Sequence, residues 1–232
     1  MTRTLFPLPA PALVPVNGEE AYFPVNRIFC VGRNYADHAK EMGSEVDREA
    51  PFYFTKAPAH VVLSGATVPF PLGTADCHHE MEFVVALGAP AFRVSVEDAM
   101  AAVYGYAAGL DMTRRDLQAV AKDKRRPWDT GKDFENAAVI GPITRAAEFG
   151  TPGPQAITLR LNGAVRQASH LSDMVWSVPE IIAHLSTLYH LMPGDLIYTG
   201  TPAGVGAVQP GDRLVGEVAG LSPVELTYGP AE

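Results

Sequence analysis

Only two cysteines, Cys30 and Cys77, occur in 232 residues, and they form no C-x-x-C spacing. Both read as ordinary buried thiols, which fits a reducing compartment. No apolar run reaches the roughly 18 residues that a membrane span needs. The opening MTRTLFPLPAPALVPV is interrupted by prolines at 7, 9, 11 and 15, so it offers no helical signal-peptide core. Positive charge is also scarce: 18 basic residues face 26 acidic ones, for a net charge of −8. A nucleic-acid partner, which needs a clustered basic surface, is not expected. KDKRRP (122–127) is the only basic cluster, and it reads as a solvated helix end. These absences leave the expectation of a soluble cytoplasmic protein with neither nucleic-acid nor membrane partner.

Common catalytic signatures are missing as well. There is no G-x-S-x-G elbow, Walker loop or H-E-x-x-H pair. GTPAGVGAVQ supplies Gly204 and Gly206 of a dinucleotide loop, but Gln209 stands at the third glycine position and no helical pattern follows. It reads as a turn between strands. His60, His170, His184 and His190 are scattered and read as surface or satisfied core residues.

The chain is rich in punctuation, with 20 prolines and 21 glycines. That favours short strands with irregular connections over a helical bundle. Strands are expected at RIFCVG, FYFTKA and HVVLSGATVPF, and again in the closing LIYTGTPAGVG and DRLVGEVAGLSPVELTYG. Asn162-Gly163 inside ITLRLNGAVRQASH is a strong hairpin signal. Helices are expected after Asn34, with Asp37 completing a capping-box-like pair and Gly43 as the stop. Further helices are expected from Ser95 through VEDAMAAVYGYAAG, from near Thr113, and from Ser177, where Glu180 completes a capping box. The fold expected is a single α+β domain over residues 25–232, preceded by an extended segment, 1–24.

CHHEMEFVVALG poses a sharper question. Side chains two apart on a strand share a face, so His78, Glu80 and Glu82 point one way. Two half-buried carboxylates on one face repel unless something positive lies between them. A divalent cation would meet that need, because hard ions take oxygen ligands. A solvent-facing strand edge is the competing explanation. Asp111, at the end of YGYAAGLD, is a third candidate carboxylate or else a mere helix-start charge. Arg115 and Gln118 fall three apart on one helical face, as do His38 and Glu41. A histidine oriented by a carboxylate is a ready general base, though an exposed helix pair reads the same way. Lys132, in TGKDFEN, is assigned to neither helix nor strand.

Taken in order, FCVGRNYADHAKEMG, PFYFTKAP, HHEMEFVVALG, GYAAGLDMTRRDLQ, RPWDTGKDF and YTGTPAGVG resemble the fumarylacetoacetate hydrolase family from about residue 25 onward. The resemblance implies a mixed β-sandwich or β-roll with peripheral helices, a homodimer, and a Mg²⁺ or Mn²⁺ site. It implies metal ligation by Glu80, Glu82 and Asp111, with His78 set behind them. It also implies a water-activating pair, His38 and Glu41, and a carbonyl-polarising Lys132 with Gln118 nearby. Arg33, Tyr35, Arg115 and Thr201 fall in blocks that line the pocket. The reaction implied is hydrolysis of the C–C bond of a 2,4-dioxo acid, fumarylpyruvate foremost, with Arg33 or Arg115 receiving the far carboxylate. Other acylpyruvates, or decarboxylation, isomerisation or hydration of related 2-oxo acids, are the alternatives within the family. A non-catalytic metal-binding module is the alternative outside it. Two departures stand out: no aspartate precedes the histidine in CVGRNY, and the lysine block reads KDFE.

Overall fold

The architecture follows from how many faces each strand must bury. In a computed structural model, which describes residues 4–41, 43 and 48–232, Met81–Leu87 is buried at every position. It lies at the centre of an eight-stranded mixed sheet. The order is Phe52–Lys56, Arg27–Gly32, Asp195–Tyr198, Met81–Leu87, Val103–Asp111, Ala138–Ile140 and Val61–Leu63, with Thr144–Arg145 also paired to Val103–Asp111. One face packs Phe29, Val31, Phe83, Val85 and Leu110 against a five-stranded sheet through Ile157, Leu159, Leu214 and Leu226. Helix Val178–Leu188 closes that core with Ile181, Ile182 and Leu185. The other face packs Ile28, Cys30, Val84, Ala86, Ala107, Leu196 and Tyr198 under the Leu13–Pro15 and Tyr22–Pro24 hairpin, through Val14 and Phe23. Burial on both faces explains why these strands read as apolar runs instead of alternating ones.

Several local signals act as their chemistry dictates. Asn162 and Gly163 take φ of 51° and 83°, the left-handed pair that a two-residue hairpin turn demands. Glu180 accepts from the Ser177 amide at 2.8 Å, completing the capping box of Val178–Leu188.

Three expectations are corrected. VEDAMAAVYGYAAG is not a helix: it is a 3₁₀ turn, Ala99–Ala102, followed by the strand Val103–Asp111. Its alanines and glycines are small because neighbouring strands crowd both sides. A Cβ at Gly105 would stand 2.3 Å from the Thr144 carbonyl, and one at Gly109 would stand 2.6 Å from Val84. Tertiary crowding overrides the helix propensity of alanine here. Asn34 is no helix cap. Its side chain donates to the Trp176 and Thr199 carbonyls at 2.9 and 2.8 Å and accepts from the Trp176 amide, tying distant loops together. Lys132 ends a short helical turn, Asp129–Lys132, instead of lying in a loop. Residues 1–3 of the expected extended segment, and Met42 of the expected early helix, lie outside the described residues.

Gly109→Val should destabilise the protein by about 1–3 kcal/mol through overpacking. Urea denaturation reads this directly, and an unchanged midpoint would contradict the crowding argument.

Candidate active site

The site grows from one register. Met81 pairs with Leu110 and Glu82 with Gly109, and the Asp111 amide donates to the Glu80 carbonyl at 2.9 Å. Glu80, Glu82 and Asp111 therefore gather on one face at the end of the central strands. Their ligand atoms lie within 4.8 Å of one another, and all three residues are buried. Gly200, at the end of Asp195–Tyr198, donates its amide to Glu82 Oε2 at 2.8 Å. No cation pairs with Glu82 among the described residues.

The other two carboxylates are countercharged. Lys132 Nζ donates to Glu80 at 2.8 Å, to Asp111 at 2.7 Å and to Thr113 Oγ1 at 2.7 Å, so all three of its hydrogens are engaged. It reaches this position because Gly131 lets its short helix pack closely on Arg115–Asp123. A Cβ at Gly131 would meet the Gln118 backbone nitrogen at 2.9 Å. Lys56 Nζ stands 2.8 Å from Asp111 Oδ1, with both side chains fully buried. Oδ1 makes no hydrogen bond, although the ion pair is close. Lys56 also donates to the carbonyls of Met112, at 3.1 Å, and Lys132. Arg115 donates to Glu80 at 2.5 Å and to Gln118 Oε1 at 2.6 Å.

Protonation follows the partners. Burial pushes the Glu80 carboxyl up, but Lys132, Arg115 and His38 outweigh it and hold the group well below the usual range. Burial pushes Glu82 well up, reinforced by Asp111 and Glu80. Burial opposes the charge on Lys132, yet Asp111 and Glu80 hold it above the ordinary lysine value. One buried carboxylate without a countercharge, beside two that have one, is the polarity that fits a divalent cation in this cup.

Around the cup lie the remaining candidates. His38 is buried in Ala36–Glu41, and its Nδ1 meets Glu41 Oε2 at 3.2 Å. Glu41 in turn accepts from the Gly204 amide at 3.1 and 3.2 Å, which gives the glycine-rich turn a task unrelated to nucleotides. Arg33, His38, Arg115, Gln118, Lys132 and Thr201 line one cleft with Glu80 and Glu82. Tyr35 stands apart: it is buried and faces a separate cleft with Asp37, Ser169 and Pro202. His78 pairs with Asp76 at 2.9 Å, outside the cup.

Three contributors have no signal of their own in the motifs. Lys56 alternates with Phe52 and Phe54 on one face of an edge strand, where it is the one buried position, and only that alternation hints at it. Gln167 accepts from the Met81 amide, contacts His79 Nδ1 at 3.1 Å, and donates to Thr201 and Pro202, clamping the 201–202 loop to the break before Met81–Leu87. Lys122 lines the cleft, which corrects the reading of 122–127 as a wholly solvated helix end.

Fold and site together define an enzyme of the mixed-β class whose cleft joins Glu80 and Glu82 of a carboxylate triad, a buried lysine, and a histidine paired to a glutamate. The chain belongs to the fumarylacetoacetate hydrolase family: the fumarylacetoacetate (FAA) hydrolase C-terminal domain matches residues 27–227. It is 56% identical over 197 residues to a Ralstonia fumarylpyruvate hydrolase, covering 82% of this chain and 100% of that one. It superimposes with a TM-score of 0.94 on a Pseudomonas aeruginosa fumarylpyruvate hydrolase solved with Mn²⁺ and pyruvate. That pair is 43% identical, covering 98% of this chain and 100% of the other. An Escherichia coli oxaloacetate tautomerase is 38% identical over 193 residues, covering 83% of this chain and 88% of its own.

Lys56→Met should destabilise the metal-free protein by about 1–3 kcal/mol, because it leaves Asp111 Oδ1 without its buried countercharge while Lys132 still holds Oδ2. Chemical denaturation in EDTA measures the loss, and a variant as stable as the parent would contradict this role.

Proposed function

We propose that this protein hydrolyses the C3–C4 bond of an acylpyruvate, fumarylpyruvate foremost, giving fumarate and pyruvate. The observation that carries the reading is that Glu80 and Glu82 of the carboxylate cup share one cleft with His38, whose ring is paired to Glu41. The nearness to fumarylpyruvate hydrolases in sequence and structure supports the same choice of substrate. A divalent cation, Mg²⁺ or Mn²⁺, would be held by the three carboxylates of the cup and would supply Lewis-acid stabilisation to the negative charge that develops on the pyruvate half of the substrate.

The protein's own groups supply the rest. His38 engages Glu41 through Nδ1, which leaves Nε2 as the nitrogen that takes a proton from water. Glu41, held by the Gly204 amide, fixes the ring and stabilises the imidazolium that results. The water oxygen adds to C4, and the C4 oxygen becomes an oxyanion. Lys132 stays protonated beside its two carboxylates and presents positive charge to that oxygen. Gln118 accepts from Arg115 through Oε1, so its amide N–H groups remain as donors toward the same oxygen. Collapse of the oxyanion breaks C3–C4; the pyruvate enolate leaves and recovers a proton at C3 from His38. A tautomerase or decarboxylase needs no water nucleophile, and the oriented histidine favours hydrolysis over both. The cytoplasmic location and the homodimer belong to this proposal; two buried unpaired thiols support a reducing compartment.

Incubation with fumarylpyruvate and Mn²⁺ should yield equimolar fumarate and pyruvate by chromatography, and EDTA should stop it; carbon dioxide release without fumarate would assign a decarboxylase. His38→Gln should lower kcat by roughly 10²–10⁴-fold while Mn²⁺ binding by calorimetry persists. Turnover equal to the parent's would remove His38 from the mechanism.

A further inference from the structure

The cleft holds more positive charge than its carboxylates use. Lys132 and Arg115 are bound to Glu80, and Lys132 also to Asp111. Arg33 and Lys122 line the same cleft, yet neither forms an ion pair or hydrogen bond with any described residue. Each lies instead over an aromatic ring: the Arg33 guanidinium 5.6 Å from the centre of Phe52, and the Lys122 ammonium 5.1 Å from that of Trp128. Those rings meet edge to face at 5.4 Å, so the two cations flank one aromatic wall. Arg115, Gln118 and Lys122 recur at three and four residues on one helix. Lys122 therefore stands one turn further out than the groups that serve the reacting carbonyl. Arg33 takes a left-handed φ of 56°, a costly backbone state for a side-chain-bearing residue.

We infer that Lys122, together with Arg33, receives a second carboxylate at the far end of the acyl group and so determines selectivity for dicarboxylic over neutral acylpyruvates. The inference rests on the reading of this cleft as an acylpyruvate site and deepens it. Geometry and charge agree. Burial, and then the positive charges of Arg33 and Arg115, pull the Lys122 ammonium down to about 8. Such a group, poorly compensated as the site stands, is stabilised by an arriving anion. The aromatic wall of Phe52 and Trp128 suits a flat, conjugated chain between the two charged ends. Arg115, proposed from sequence as an alternative receptor, is already committed to Glu80 and Gln118.

The test compares Lys122→Met and Lys122→Arg with the parent, in Mn²⁺, on fumarylpyruvate and acetylpyruvate. Lys122→Met should lower the ratio of kcat/KM for fumarylpyruvate to that for acetylpyruvate on the order of tenfold, about 1.4 kcal/mol, mainly through KM, and Lys122→Arg should restore it. An unchanged ratio, or equal losses on both substrates, would overturn the assignment while leaving hydrolysis intact. Binding of fumarate and of crotonate, which carries a methyl in place of one carboxylate, is measured alongside by calorimetry. Should the parent cleave neither acylpyruvate, the hydrolase reading falls. The second-carboxylate site then stands if Lys122→Met abolishes a preference for fumarate over crotonate, and falls if it does not.

Discussion

The repulsion among three buried carboxylates is the constraint around which this molecule is arranged. Glu80, Glu82 and Asp111 are forced together by the pairing of two central strands. Leaving them so, without compensation, would be prohibitive in a low-dielectric interior. Lys132 and Lys56 relieve Glu80 and Asp111, and Gly200 offers Glu82 only a backbone amide. The cup is thus part-neutralised and polarised toward Glu82. A simpler picture, in which mutual repulsion alone prepares the site for a cation, omits the two lysines that let the chain fold around it.

The same arrangement gives each neighbouring element its purpose. Close packing at Gly131 delivers Lys132 to the cup, and Gly109 allows three strands to converge behind it. Gln167 holds the Thr201 loop where Thr201 lines the cleft, while the Gly204 amide steadies Glu41 and, through it, the His38 ring. The candidate site's groups on short helices and loops are in this way anchored to a doubly buried sheet. Precision at the reacting centre comes from rigidity beneath it.

How far the site was legible in the sequence depended on whether the signal was local. Glu80 and Glu82, nominated by strand parity, do come together, although the strand breaks at Glu80 and parity's third nominee, His78, lies outside the cup. His38 and Glu41 share a helix face by spacing. The Asn162-Gly163 turn and the Ser177–Glu180 cap were readable for the same reason. Lys56 and Gln167 were not, because each acts on a partner far away in the chain. Lys122 was hidden inside a run of charge that read as a solvated helix end, although it shares its helix with Arg115 and Gln118. Val103–Asp111 misled in the opposite direction. Its small residues answer to the strands on either side, and read alone they imitate a helix.

The central claim is that the three carboxylates hold one divalent cation. Anomalous diffraction at the manganese edge, from crystals grown in Mn²⁺, locates the ion without reference to activity. A single peak at about 2.1–2.3 Å from an oxygen of each of Glu80, Glu82 and Asp111, within the range for hard cations on oxygen, is the result this account requires. A well-occupied peak elsewhere, or one that leaves Glu82 uncoordinated, would contradict it.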